Sequence, residues 1–292
     1  MAITLKQKQF SGDVNTVDEA LKLSGMDFIA EQSELLNVAT GVVSPTHKAI
    51  YNGSNDKQLG IVGHTYEPVQ NTDAFAFFDL ICKAYKAKFE LGYNINNGAK
   101  CVLQAKIPGS FEPRKGDKVD QYFTLINGFD GKSGVQAYFT PIRLFCMNQL
   151  NASIKKAENR VLLRHTKNVK ARMEEAFEIF GMGVEFFEQF KVLSTELAQK
   201  MVDAKMVEKF LNGVMGETKS TQIKNKKNRV EELFVSGKGN KGESLWDLYN
   251  GYTEYIDHFS TANKNRLLVN ATIGSGVDKK EKAFKVATSL LG

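Results

Sequence analysis

VDQYFTLINGFDGKSGVQAYFTPIRLFCMNQLNASIKKAENRVLLRHTKNVKAR, residues Val119 to Arg172, joins a strand-rich pattern to a basic window. Two β-rich runs, Val119–Ile126 and Val135–Pro141, flank the turn-forming NGFDGKSG. Their aromatic pairs, Tyr122-Phe123 and Tyr138-Phe139, send one ring to each face of a pleated strand. The second run is expected to pass through Thr140-Pro141 into a helix. The window that follows, Lys155–Arg172, carries seven Lys or Arg against one acidic residue.

Working outward, Lys88–Asn94 and Ala99–Ile107 have the same strand character, separated by turn clusters at Asn94–Gly98 and in PGSFEPRKGD. Four strands joined by such short intervals cannot be parallel, so they form an antiparallel meander. Before them, Phe75, Phe78, Ile81, Cys82 and Tyr85 repeat at three and four residues, which predicts an amphipathic helix over Asn71–Lys88 capped by Asn71 or Thr72. Glu34–Val43 and Lys48–Asn52 read as extended, and Leu59–Val69 as a strand interrupted at Gly63 with Pro68 at an exit. Thr16–Ser24 has a helix start at Thr16, Glu19 at capping-box spacing, and Gly25 to end it.

Downstream the pattern turns helical from Thr166, with Val169, Met173, Ala176, Phe177, Phe180, Val184 and Phe187 in register. Asp203 caps a further helix to Val214, and Ser244–Phe259 and Val277–Leu291 close the chain. Between them, Lys219–Arg229 holds five basic and no acidic residues, and SGKGNKG follows; both read as exposed, mobile loops. The fold class is therefore α+β: a hairpin, a helix and a four-stranded antiparallel meander packed with helices, then a helical C-terminal half. The division expected is an α+β core over 1–166 and a helical region over 167–292, with basic loops near 217–243.

With 292 residues and 42% hydrophobic content, the chain has ample material for a core, much of it in 20 Phe and nine Tyr. A net charge of +6 and a pI near 9.0 favour an acidic partner, nucleic acid ahead of a membrane. No apolar run approaches membrane-spanning length and no signal core opens the chain, so a cytoplasmic protein is expected. Cys82, Cys101 and Cys146 stand singly in apolar surroundings, which fits a reducing compartment and argues against zinc.

Three phosphate or catalytic readings fail on spacing or context. Gly128–Ser133 (GFDGKS) lacks the first glycine of a phosphate loop, since Ile126 stands there, and a strand follows where a helix is needed. Gly237-x-Gly239-x-x-Gly242 matches the dinucleotide pattern but follows helical sequence with no β-α-β unit around it. His47, His64, His165 and His258 are scattered, so neither metal, cofactor nor acid-base constellation is indicated.

The basic set differs in kind. Lys155, Lys156, Arg160, Arg164, Lys167, Lys170 and Arg172, with His165 beside Arg164, are the candidate phosphate contacts, whose binding would weaken steeply with salt. Tyr122 and Tyr138 are candidate stacking platforms, and Lys224, Lys226, Lys227 and Arg229 a second basic loop. Arg143 and Asn148, polar within apolar sequence, are assigned to holding the platform together. The same composition also fits a solvated basic face over a sheet whose aromatics are all buried.

Leu59–Phe75 (LGIVGHTYEPVQNTDAF), Thr140–Ile154 (TPIRLFCMNQLNASI), the triplet Arg164-His165-Thr166 with Asn168, and Trp246–His258 (WDLYNGYTEYIDH) resemble, in order, a family of phage- and plasmid-borne proteins catalogued as domain of unknown function nine-three-two. Gln149 stands where that family usually has Thr, so a hydroxyl role does not carry over. The resemblance implies mobile elements, a cytoplasmic setting, and genes near replication or recombination functions. The element order is more distantly similar to the core of single-strand annealing proteins, which form rings or filaments and lay DNA in a basic groove; that step is a fold analogy. The expectation is a non-enzymatic single-stranded DNA-binding and annealing protein acting as a homo-oligomer. The alternatives are an accessory protein that blocks a host factor through a helix at Asn168–Val202, and an enzyme acting on nucleotides.

Overall fold

The computed structural model describes residues 5–143, 148–149, 160–165, 182–272 and 274–292. Contacts divide the chain into two compact units, one of residues 1–108, 122–139 and 160–181, the other of 109–121, 140–159 and 182–292. The fold is α+β, and its strands are β1 (Leu5–Val14), β2 (Ala30–Asn37), β3 (Val42–Asn52), β4 (Lys57–Gly63), β5 (Lys88–Ile95), β6 (Lys100–Phe111), β7 (Val119–Gly128), β8 (Val135–Arg143), β9 (Asn148–Gln149) and β10 (Arg160–Leu163). Two helices interrupt them, α1 (Val17–Ser24) and α2 (Asn71–Tyr85).

One sheet runs β1-β5-β6-β7-β8-β10 with β9 also on β8, and a second runs β2-β3-β4. The expected meander is present as the consecutive neighbours β5, β6, β7 and β8. In the first unit the sheet's polar residues are tied across strands. Tyr93 donates to Gln104 (3.3 Å), which donates to Thr124 (2.9 Å). Asn127 Nδ2 donates to the Val69 carbonyl and to Asn71 Oδ1, both at 2.9 Å, and Asn71 donates to the Met26 carbonyl at 2.8 Å. These bonds offset much of the cost of burying polar groups in the sheet and against it.

Local signals govern the small elements. Thr16 Oγ1 accepts from Glu19 N–H and Gly25 closes α1 in the left-handed region at φ 62°, as the sequence predicts. The turn after β7 is a hairpin: Asp130 Oδ1 accepts from the backbones of Lys132 (2.9 Å) and Ser133 (2.7 Å), Gly131 sits at φ 74°, and β8 follows. No helix opens there to hold a phosphate.

Three expectations about the strands and the α2 cap are corrected, and one strand was not foreseen. Glu34–Val43 is two strands with a turn between Asn37 and Val42, where Gly41 takes φ 68°. Gln70 stands at the N-cap position of α2 without a side-chain capping bond, and the Asn71 side chain bonds to Met26 and Asn127 instead of capping. Thr140-Pro141 continues β8, and Asn148–Gln149 pairs back with Arg143 and Ile142, so the described part of this stretch is strand where a helix was expected. The strand β1 escaped the sequence reading because LKQKQFSGDV is mostly polar, as suits a sheet edge, and has no clean period of two.

The second unit holds α3 (Met182–Gln199), α4 (Ala204–Met215), α5 (Thr221–Ser236), α6 (Leu245–His258), α7 (Lys264–Thr272) and α8 (Ser275–Ser289). Asp203 caps α4 by accepting from Met206 N–H at 2.8 Å. Helix α6 is the hub: its residues 245–257 are buried, and α3, α5, α7 and α8 all pack on it. Phe190 stacks on Phe284 (5.2 Å) and meets Trp246 edge-on (6.4 Å), while Tyr249 meets Phe284 (5.4 Å). Gly251 allows α5 this close, since a Cβ there would lie 2.8 Å from the Phe234 nitrogen.

The run Lys219–Arg229 is largely helix α5, where mobile loop was expected. Ser220 caps it by accepting from Ile223 N–H, and Val230, Leu233 and Phe234 fill one face. A run of lysines hides a helix from a charge-based reading because the apolar face needs only every third or fourth residue.

Candidate nucleic-acid interface

Among the described residues strand β10 lies at the end of its sheet and pairs with β8, from Arg160↔Tyr138 to Leu163↔Val135. It is the sole described piece of the basic window apart from the two residues after it. Arg164 is exposed at its end. Lys155, Lys156, Lys167, Lys170 and Arg172 lie outside the described residues, and of Arg160 only the backbone is described.

His165 is a different case. It is 4% exposed, its Nδ1 accepts from Val69 N–H at 3.0 Å, and its ring stacks on Tyr66 at 4.8 Å with 9° between planes. Burial pushes its pKa down from 6.5 to about 4, against the opposing charge of Asp130, so the ring is neutral at pH 7. His165 is therefore no phosphate contact; it pins the end of β10 to the segment before α2. Tyr66 in turn donates to the Gly128 carbonyl (3.3 Å), and its hydroxyl is held above the usual range, first by burial and then by Asp130.

The stacking candidates are also corrected. Tyr122 is 3% and Tyr138 5% exposed, and Tyr122 donates to Glu90 at 2.6 Å. The central strands are covered on both faces, so alternation aims neither ring at solvent. Among the second set, Lys224 and Lys226 are exposed on α5. Lys227 is buried, its ammonium donating to Asn212 (2.5 Å) and Thr218 (2.9 Å). Arg229 pairs with Glu232 (2.7 Å) and covers the Phe259 ring at 4.3 Å. A four-cation loop is thus reduced to two free-standing lysines, two residues apart and so on different faces of the helix.

The residues the sequence reading did not connect are those around Arg143. Its guanidinium is fully buried in the second unit and donates twice to Asp117 (2.6 Å each), to Asn240 Oδ1 (2.7 Å), and to the carbonyls of Lys238 (3.1 Å) and Gly239 (2.7 Å). Arg114 donates to the same Gly239 carbonyl and to Asp247 at 2.6 Å. Trp246 Nε1 donates to Asp117 at 2.9 Å. Burial pushes the Asp247 carboxyl up, but the hydrogen bond and charge of Arg114, with backbone N–H groups, outweigh it and hold the pKa below the usual carboxylate range. The Gly237-Lys238-Gly239-Asn240 segment is therefore no nucleotide fingerprint and no free loop: its carbonyls cradle two arginines. What a sequence carries of this is an Arg inside an apolar strand and glycines between two helices, with no signal that they meet.

Every donor of Arg143 is spent inside the protein, so this network holds structure and offers nothing to a ligand. Among the described residues no group of three His, Cys, Asp or Glu is placed to hold a metal ion. Cys82 and Cys101 are buried, and burial pushes both thiols up to about 12. Among the described residues no helix is long and apolar enough to cross a membrane.

The family model for a domain of unknown function (DUF932) matches residues 58–280. No curated protein and no solved structure matches the chain. The match spans both units and most of the chain, so the protein belongs to the DUF932 family.

Proposed function

We propose that this member of the DUF932 family is a single-stranded DNA-binding and annealing protein of a phage or mobile element, working without covalent catalysis as a homo-oligomeric ring or filament in the host cytoplasm. The observation that carries the reading is the charge density of Lys155–Arg172, which straddles strand β10 and includes the exposed Arg164. Such a window neutralises backbone phosphates and gains affinity by releasing counterions. Rate enhancement then comes from holding two strands at high local concentration. Base stacking does not come from Tyr122 or Tyr138.

The test is annealing of complementary oligonucleotides. The reading expects accelerated pairing, binding that falls with salt, and particles that grow with DNA; no acceleration, or salt-indifferent binding, overturns it. One observation favours a protein partner instead: the tip of the β2–β3 hairpin exposes Leu36, Val38 and Val42 at 57%, 91% and 60%. That tip suits subunit contacts of an oligomer as well as the accessory reading, in which a host factor is blocked. A single stoichiometric protein recovered from host lysate, together with retained activity after Arg164→Ala and Lys167→Ala, favours the second.

A further inference from the structure

The first unit contains a cavity of about 170 Å³ between the start of β1, the α1–β2 connection, the end of β3 and the end of β5. We propose that it takes one amino-bearing nucleobase (adenine, cytosine or guanine) of a bound strand, an inference that rests on the DNA-binding reading above and adds base selectivity to it.

Asn94 is 7% exposed and lines the cavity. Its Nδ2 donates to the Gly25 carbonyl at 2.7 Å, which fixes which end of the amide is which. Its Oδ1 then has no partner among the described residues. A buried acceptor without a donor is costly and is normally met by water or a ligand. Asp27, an exposed residue that also lines the cavity, brings a second acceptor side chain to the site.

The walls are set in advance. Asn52 spends both ends of its amide, donating to the Asn97 carbonyl (2.7 Å) and accepting from Ser54 N–H (2.9 Å). Asn96, Asn97 and Gly98 lie consecutively at φ 51°, 60° and 107°. Asparagine takes this left-handed region more readily than other non-glycine residues, so the tight turn between β5 and β6 is fixed by local sequence. Gly98 is required as well: a Cβ would sit 2.4 Å from the Phe28 ring, which lines the cavity and is held from behind by Phe129 at 5.9 Å.

Size and chemistry then select the occupant. A void of about 150 Å³ holds one benzene-sized ring, so this cavity holds one heterocycle with an aromatic edge as part of its wall. The opposite charges of Lys6 and Asp27 at the lining favour a neutral group over a free anion. Two acceptors call for a donor edge, as adenine N6, cytosine N4 and guanine N1 and N2 provide. Thymine offers one N–H between two carbonyls and meets the acceptors poorly.

The test measures anisotropy of labelled dC, dA and dT oligonucleotides and thermal stabilisation by free deoxycytidine, deoxyadenosine and thymidine. Asp27→Ala removes the second acceptor at an exposed position, and Ser54→Phe fills the cavity from an exposed turn. The expected result is dC or dA bound about tenfold tighter than dT, stabilisation by deoxycytidine or deoxyadenosine but not thymidine, and loss of the preference in both variants with dT binding unchanged. Equal affinity for all three oligonucleotides, or a preference that survives both variants, overturns the pocket while leaving DNA binding intact. Nucleoside stabilisation lost in the variants, without any oligonucleotide binding, supports the pocket and overturns the DNA reading. No response to either probe overturns both.

Discussion

Asp117 is the residue whose removal the second unit should tolerate least. Asp117→Ala removes the carboxylate that pairs at 2.6 Å with the guanidinium of Arg143, which is 0% exposed, leaves the charge of Glu254 as its weaker counterpart, and strips Trp246 Nε1 of its acceptor. Breaking a buried ion pair from one side costs about 3–5 kcal/mol. The lost indole bond falls within that figure, because it shares Asp117 Oδ2 with the guanidinium. Set against a domain stability of about 5–15 kcal/mol, the variant is marginal. Trp246 is the chain's one tryptophan and lies in this core, so urea titration followed by its fluorescence reads the unit directly. A loss under about 1 kcal/mol would refute the argument that the pair is a desolvated, charge-balanced unit. The paired variant Asp117→Leu with Arg143→Met separates charge from packing. It removes both ends of the Arg143–Asp117 pair and should recover more than half the loss; if it is as unstable as Asp117→Ala, the missing volume is responsible and the charge is not.

Other perturbations follow from the same geometry. His165 has its folded pKa lowered from 6.5 to about 4, so the unfolded chain binds the proton first. Stability should fall as pH drops below about 6.5, by on the order of 3 kcal/mol at pH 4, and His165→Gln should flatten that limb of a pH-dependent melting curve. Arg164→Ala with Lys167→Ala should lower the slope of log affinity against log salt for single-stranded DNA by about 1.4, or 0.7 per phosphate; an unchanged slope removes these residues from the interface. Tyr122→Phe loses the bond to Glu90 and should cost about 1 kcal/mol of stability in urea. Ser220→Ala should destabilise α5 by about 1 kcal/mol in urea, a loss that a loop at this position would not show.

The sequence by itself determined the α+β class, the meander Lys88–Pro141, the capped helix Thr16–Gly25 and the cap at Asp203, because each rests on signals within a few residues: period, turn chemistry, a side chain reaching its own backbone. It also marked Arg143 as a residue out of place in its apolar run. Tertiary structure alone decided what that arginine meets, since Asp117, Gly239 and Asn240 come from segments 26, 96 and 97 residues away. The same holds for exposure. Tyr122, Tyr138, His165 and Lys227 carry the side chains of a binding surface, yet all four are buried. Burial depends on what distant segments lay over a residue, and no local pattern of charge or aromaticity encodes it.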